Sequence, residues 1–267
     1  MPEFDIERYL ELLRSLRRAG YRLLPARFLA KTCASGQEKC AFLRHDIDAF
    51  LNHIDDFARR EADEGVVATY YILLSQHYNP NSAQNRRVIR RIVELGHEIG
   101  LHYDMTQYPV EREAAINHLQ LEIRFLEDIA GTVVRDIAMH QPHLGHCDYF
   151  LDVEGLVNPA NPSLHEGLIY VSDSCRAWRD ETLLRCLRSG GPLRLLLTIH
   201  PEVWLDGSTL DRYEYLERVM LPIATAEVKH FFMEHVPSIW TQHPAVAAHD
   251  LREGSIQPRD VKFSKEE

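Results

Sequence analysis

The chain has 267 residues, of which 45% are hydrophobic and 26% are charged, a composition typical of a globular protein with a substantial core. Its formal net charge of -10 argues against a nucleic-acid partner, because proteins that bind the phosphate backbone carry a basic surplus. No apolar run is long enough to cross a membrane, residues 1–20 form an amphipathic pattern unlike a secretion signal, and the five cysteines include no C-x-x-C pair. We therefore expect no membrane insertion and a cytoplasmic location.

In chain order, short β-branched and aromatic runs alternate with longer helical patterns. The predicted strands are 40–44, 68–74, 99–101, 133–139, 168–171 and 193–199. The predicted helices are 1–20, 50–64, 83–95, 110–130 and 210–235, the last started or broken by Pro222. Repeated β-then-α units indicate a parallel sheet with helices outside it, either a barrel or a doubly wound sheet. We expect one domain over 1–247 and a charged tail over 248–267.

Reactive side chains follow five of the predicted strands. Each of these segments contains a histidine, an aspartate or both, and they are 44–48, 102–104, 140–143, 172–174 and 200–202. Because the carboxyl ends of parallel strands meet at one edge, we expect these residues to converge. Imidazole and carboxylate ligands suit one divalent metal, zinc first, with cobalt, nickel, manganese or iron also acceptable. No G-x-S-x-G motif supports a serine nucleophile instead.

At these segments the sequence resembles the polysaccharide-deacetylase superfamily (NodB-like, carbohydrate esterase family 4-type). It is most similar to a bacterial branch with H-D-x-D and G-H-E-I-G-L-H motifs, which here occupy 45–48 and 96–102. The likeness covers about 42–204, and its motifs arrive in the family's order. The resemblance implies a distorted (β/α) barrel and metal-dependent removal of an acyl group from a sugar.

The resemblance also implies a role for each matching residue. Asp46 corresponds to the catalytic base and His200 to the general acid. Asp48 and His102 correspond to metal ligands. Residues two apart in an extended segment point to one side, so Asp46 and Asp48 can share a pocket. The residues expected to contact substrate are Arg44, His143, Asp173, Trp178 and Trp204.

The third metal ligand is where the sequence departs from the family. Four residues after His102 the family has a second histidine, and this chain has Thr106, a poor zinc ligand. His140 is the first candidate to replace it, because it follows a strand and stands where the family often has the arginine of an R-x-P motif. The other candidates, in descending order, are Asp104 and then His143 and His45.

These features predict a metal-dependent hydrolase that removes an N-acyl group, acetyl or formyl, from an amino sugar. The expected partner is a small-molecule or oligosaccharide substrate, and a cytoplasmic location favours a precursor of an envelope polysaccharide. One alternative is a hydrolase of non-sugar linear or cyclic amides. Another is a catalytically silent carbohydrate-binding protein of the same fold. Thr106 favours the silent protein, whereas the presence of both Asp46 and His200 argues against it.

Overall fold

The computed structural model describes residues 4–31, 38–75, 78–142, 150–177, 180–188, 191–205 and 207–235. The chain divides into two compact units, Met1–Tyr215 and Leu216–Glu267. The first unit contains the seven strands of the described sheet and all of the described candidate site residues. The described part of the second unit is a π-helical turn at Leu216–Met220 followed by a helix at Leu221–His235.

The sheet is entirely parallel. Its strands are β1 Arg22–Pro25, β2 Cys40–Ile47, β3 Thr69–Leu73, β4 Glu98–Tyr103, β5 Ile137–Met139, β6 Leu168–Ser172 and β7 Arg194–Ile199. Their order is β5-β4-β3-β2-β7-β6, and β1 pairs with the first half of β2 before β3 pairs with its second half. The parallel α/β architecture is therefore as predicted. Among the described residues no pairing joins β5 to β6, so the sheet does not close.

The sheet is also strongly curled. Asp48 follows β2 and His140 follows β5, and three strand spacings separate these strands in the sheet order. Three spacings would cover about 14 Å in a flat sheet. Yet Asp48 Oδ1 and His140 Nδ1 are 3.4 Å apart. The curling brings strand ends together as in a barrel, which confirms the predicted distorted barrel.

Several of the helices follow from amphipathic patterns in the sequence. The helices are α1 Ile6–Arg18, α2 Ile54–Asp63, α3 Ala83–Glu94, α4 Arg112–Ala130, α5 Asp180–Arg188, α6 Arg212–Tyr215 and α7 Leu221–His235. In α1 the buried residues Tyr9, Leu10, Leu13 and Leu16 recur at helical spacing, and the N-terminal Asp5 side chain accepts the Glu7 N–H. Pro222 is the second residue of α7 and directly follows the π-helical turn Leu216–Met220, so its missing N–H coincides with an irregularity of the helix.

Most predicted elements are present, with differences in the number of elements and in the lengths of some strands. The strands β2 and β4 run further than predicted, so that Asp46 and His102 lie inside strands rather than after them. The short strand β1 and the helix α5 were not predicted, and β5 covers only the last part of its predicted run, 133–139. The boundary at residue 247 and the charged tail lie outside the described residues. None of the helices in the described ranges combines the length and apolar character that a membrane crossing requires.

A buried polar cluster joins the helices to the outer side of the sheet. The carboxylate of Glu61, in α2, accepts hydrogen bonds from the hydroxyls of Tyr9 at 2.5 Å and Tyr70 at 2.6 Å. His45 Nε2 lies 2.9 Å from the same carboxylate, and all of these side chains are buried. His45 therefore faces away from Asp46, its neighbour in β2. The cluster ties α1, α2, β2 and β3 together and thereby supports the strand that carries the aspartates.

Candidate metal centre

Three side chains meet at the carboxyl ends of β2, β4 and β5. Asp48 Oδ1 lies 3.3 Å from His102 Nε2 and 3.4 Å from His140 Nδ1. The two imidazole nitrogens are 3.2 Å apart. Each residue offers one ligand atom, and together the three can hold a metal ion. Both histidines are buried, while Asp48 is partly exposed, so the group is open on one side.

The hydrogen bonds around His102 show which atom is available as a ligand. His102 Nδ1 lies 2.9 Å from the carbonyl oxygen of Ala138, which can only accept, so this nitrogen carries the proton. The Nε2 lone pair of the neutral ring then faces Asp48 Oδ1, a buried oxygen without a hydrogen-bond partner in the described part of the chain. Either a proton on His140 or a bound cation would satisfy this convergence of lone pairs. A carbonyl partner on the other ring nitrogen is also the usual support of a metal-binding histidine.

The separations match those of three ligands around one small metal ion. Ligands about 2.0–2.1 Å from zinc are about 3.3–3.4 Å apart at the corners of a tetrahedron. The observed separations are 3.2, 3.3 and 3.4 Å. The donor set of two imidazoles and one carboxylate suits zinc and its first-row neighbours. The residues therefore fit the expected divalent metal.

The structure places His140, the first candidate for third ligand, in this group. Asp104, the second candidate, turns away to cap the following turn, and its Oδ1 accepts hydrogen bonds from the backbone and hydroxyl of Thr106. His45 lies on the other side of β2, bonded to Glu61. His143 lies outside the described residues.

The predicted base, Asp46, is held by a bidentate ion pair. Arg44 Nε and an Arg44 terminal nitrogen each lie 2.7 Å from a different oxygen of Asp46. Burial by itself would raise the pKa of Asp46, but the charge of Arg44 and of the nearby histidines outweighs it and holds this pKa below its ordinary value. Asp46 Oδ2 is 3.7 Å from His102 Nε2, so the ionised carboxylate borders the metal group.

The predicted acid, His200, is oriented by Asp173. Asp173 Oδ1 lies 2.6 Å from His200 Nδ1, and its carboxylate also accepts the backbone N–H of His200. Its Oδ2 accepts the indole N–H of Trp204 at 2.6 Å. Burial opposes a charged imidazole, but Asp173 outweighs it and raises the pKa of His200 well above its ordinary value. The other nitrogen, Nε2, is 3.4 Å from Asp48 Oδ2, so a protonated ring presents its second N–H to the site.

Three of the residues expected to contact substrate have other partners. Arg44 uses two nitrogens on Asp46, and its side chain is 12% exposed. Asp173 and Trp204 are buried and bonded to each other, and Trp204 packs against Phe4. This burial argues against substrate contacts for Asp173 and Trp204, and it gives both a supporting role for His200. The other two expected contacts, Trp178 and His143, lie outside the described residues.

Glu202 also belongs to this site, although it was not among the predicted site residues. It lies in the short 3-10 helix Pro201–Trp204 and is 2% exposed. Its Oε1 accepts the backbone N–H groups of Asp48 at 2.9 Å and Ala49 at 3.1 Å. Burial raises the pKa of Glu202 to about 8. Its position two residues after His200 was the only sequence signal.

The sequence matches no protein-family model. It also matches no curated protein. Solved structures do resemble the fold. A family 4 carbohydrate esterase pseudoenzyme from Bacillus anthracis is 15% identical, with a TM-score of 0.41 over 72% of this chain and 62% of that chain. A family 4 acetyl xylan esterase from Clostridium thermocellum, in complex with a cobalt ion, is 16% identical, with a TM-score of 0.41 over 70% and 84% of the two chains. The chitin deacetylase of the fungal pathogen Colletotrichum lindemuthianum is 14% identical, with a TM-score of 0.43 over 78% and 86%.

The structural neighbours of this chain are polysaccharide deacetylases and family 4 carbohydrate esterases. The chain spans less than two thirds of the length of the pseudoenzyme. Identities and TM-scores this low transfer no activity, ligand or substrate, and one of the neighbours is a pseudoenzyme. The function of this chain depends on the chemistry of its own residues.

Proposed function

We propose that this chain is a metal-dependent hydrolase that removes an N-acyl group from an amino sugar. The observation that carries the proposal is the junction of three ligand atoms, Asp48 Oδ1, His102 Nε2 and His140 Nδ1, with an acid and a base on either side. The base Asp46 and the acid His200 each contact this group, at 3.7 Å and 3.4 Å. A metal, a base and an acid held together are one established means of hydrolysing an unactivated amide.

Each residue has one task in the reaction. Asp48, His102 and His140 would hold the metal, which when bound polarises the acyl carbonyl and acidifies water. Asp46 takes the proton from the attacking water, and Arg44 keeps that carboxylate ionised in its buried position.

His200 completes the reaction at the leaving group. Its Nδ1–H is held by Asp173, and its Nε2–H is directed into the site, where it protonates the departing amine. Without that proton the leaving group would be an amide anion, which is far too basic to depart. Asp173 favours the charged imidazole and fixes its plane, so the acid is ready before the substrate arrives.

The sugar substrate is supported by the motifs at 45–48 and 96–102, which resemble those of polysaccharide deacetylases. We propose that the substrate is an intracellular precursor of an envelope polysaccharide. A nucleotide-linked or lipid-linked N-acylamino sugar meets this description.

The test is acyl release by the metal-loaded protein. The protein, supplied with zinc or cobalt, is incubated with N-acetylglucosamine oligosaccharides, a nucleotide-linked N-acetylamino sugar, its N-formyl counterpart and simple non-sugar N-acyl amides. Released acetate or formate is measured. We expect release from a sugar substrate only. Release from the simple amides alone would contradict the sugar assignment and favour the alternative amide hydrolase.

Two variants test the assigned base. Asp46→Asn keeps the shape of the side chain but lowers its basicity, so it should abolish turnover while the metal stays bound. Asp104→Asn is the matched control, because Asp104 bonds to Thr106 and contacts none of the three ligand atoms in the described structure. Undiminished turnover by Asp46→Asn would refute its role. A wild-type protein that binds metal and sugar without turnover would instead support the silent carbohydrate-binding alternative.

A further inference from the structure

We propose that Glu202 is a positioning residue that fixes the backbone of the metal ligand Asp48 and so sets the affinity of the site for its metal. The inference rests on the proposed function, because it assigns a role within the same centre. Glu202 is not itself one of the three ligands, since its Oε1 is bonded to two backbone amides.

The two amides lie just beyond the end of a strand. β2 ends at Ile47, and its last pairing with β3 also involves Ile47. The N–H groups of Asp48 and Ala49 therefore lie beyond the hydrogen bonds of the sheet. Their acceptor in the described structure is Glu202 Oε1, at 2.9 and 3.1 Å. One oxygen thus determines the direction in which the chain leaves β2, and that direction places the Asp48 carboxylate.

The short helix that carries Glu202 also supports the acid. Pro201–Trp204 begins directly after His200, and Trp204 bonds to Asp173, which in turn holds His200. The hydroxyl of Tyr215 donates to the backbone carbonyl of Glu202 and anchors the same turn. The segment Pro201–Trp204 therefore holds both groups. Trp204 supports the acid His200 through Asp173, and the Glu202 side chain binds the backbone of the metal ligand Asp48.

Loss of the carboxyl oxygen should loosen Asp48 without removing a ligand. Two N–H groups, of which the Ala49 group is buried, would lose their acceptor. The loop could then turn to satisfy them, and the Asp48 carboxylate would leave the 3.3–3.4 Å separations that suit a metal. Removing a residue that supports a metal ligand typically weakens binding about 10–100-fold.

The experiment compares variants of nearly equal shape. Glu202→Met removes both oxygens, Glu202→Gln keeps one acceptor oxygen, and Glu202→Asp keeps the carboxyl but draws it back by one methylene. Glu122→Met is the matched control, because Glu122 is a half-buried carboxyl on α4 that bonds to Tyr108. Each protein is stripped of metal with a chelator, checked by near-ultraviolet circular dichroism, and titrated with cobalt to obtain Kd.

We expect Glu202→Met and Glu202→Asp to raise the Kd for cobalt about 10–100-fold, and Glu202→Gln and the control to stay within about threefold of wild type. The Asp variant gives the comparison even if the Met variant does not fold. A Kd within about threefold of wild type for Met or Asp, or a Gln variant as weak as Met, would overturn the role of Glu202 and leave the metal centre standing. A wild-type protein that takes up no cobalt would instead overturn the proposed function itself.

Discussion

Replacement of Arg44 by methionine should leave a buried negative charge without its partner. Arg44 contacts both oxygens of Asp46 at 2.7 Å, and the two side chains are 12% and 6% exposed. Breaking a buried pair by removing one member costs about 3–5 kcal/mol, because the remaining charge is desolvated without compensation. In Arg44→Met/Asp46→Asn no charge remains to be compensated. We therefore expect the double variant to lose about 2–3 kcal/mol less than the sum of the two single variants.

The assay is urea unfolding at pH 7 with a chelator present, so that metal binding does not contribute to the free energy of unfolding. Four proteins form the cycle, and the same cycle on Arg59 and Asp63 is the control. That pair is separated by 3.1 Å, but its side chains are 48% and 63% exposed. An exposed pair of this kind contributes about 0.3–0.5 kcal/mol.

The reasoning would be refuted by an interaction energy for Arg44 and Asp46 no larger than that of the exposed pair. The pH dependence of the free energy of unfolding gives a second test of the Arg44–Asp46 pair. Arg44 lowers the pKa of Asp46 in the folded protein, so this stabilisation is present above the unfolded pKa of about 3.9 and is lost as the pH falls. The loss of stability between pH 5 and pH 3 should therefore be smaller in Arg44→Met than in wild type.

Two further predictions concern the interior below the metal group. Burial raises the pKa of Asp136 to about 8, so the folded protein keeps a proton that the unfolded chain releases near pH 4. The free energy of unfolding should fall by a few kcal/mol as the pH rises from about 4 to about 8. Urea unfolding at pH 5 and pH 8 measures this fall, and Asp136→Asn should lose less stability between the two pH values than wild type loses. Equal losses in the two proteins would contradict the prediction. Gly100→Ala would place its Cβ 2.6 Å from two ring atoms of the buried Tyr71 and 3.1 Å from the Asp136 carbonyl oxygen. Gly100→Ala should lower the free energy of unfolding by about 1–3 kcal/mol. An unchanged midpoint of urea unfolding would contradict this expectation and show that the Tyr71 ring can move aside.

The convergence of the site could be predicted because it depends on short-range patterns. Asp46 and Asp48 share a side of an extended segment, and His102 and His140 come at the ends of buried runs, so a parallel sheet must bring their strand ends to one edge. The sequence already ranked His140 before Asp104, and the structure gives the physical reason for that order. Asp104 is drawn away by a local turn with Thr106, an interaction that competes with any metal.

The supporting contacts could not be predicted because they join distant parts of the chain. Glu202 reaches Asp48 across 154 residues, and Asp173 reaches His200 across 27. Neither contact leaves a periodic signal in the sequence. The strand β1 escaped prediction for a related reason: at four residues, Arg22–Pro25, it is too short to show an alternating pattern, and its pairing with β2 defines it.

The most direct test of the account is the metal content of the purified protein after loading and desalting. Wild type is compared with Asp48→Ala, His102→Ala and His140→Ala, and Thr106→Ala is the control because Thr106 bonds to Asp104 instead of joining the ligand group. We expect about one metal ion per chain in wild type and the control, and almost none in the three ligand variants. A wild-type chain that stays metal-free after supplementation with zinc, cobalt, nickel and manganese, or a His140→Ala chain that keeps its metal, would contradict it.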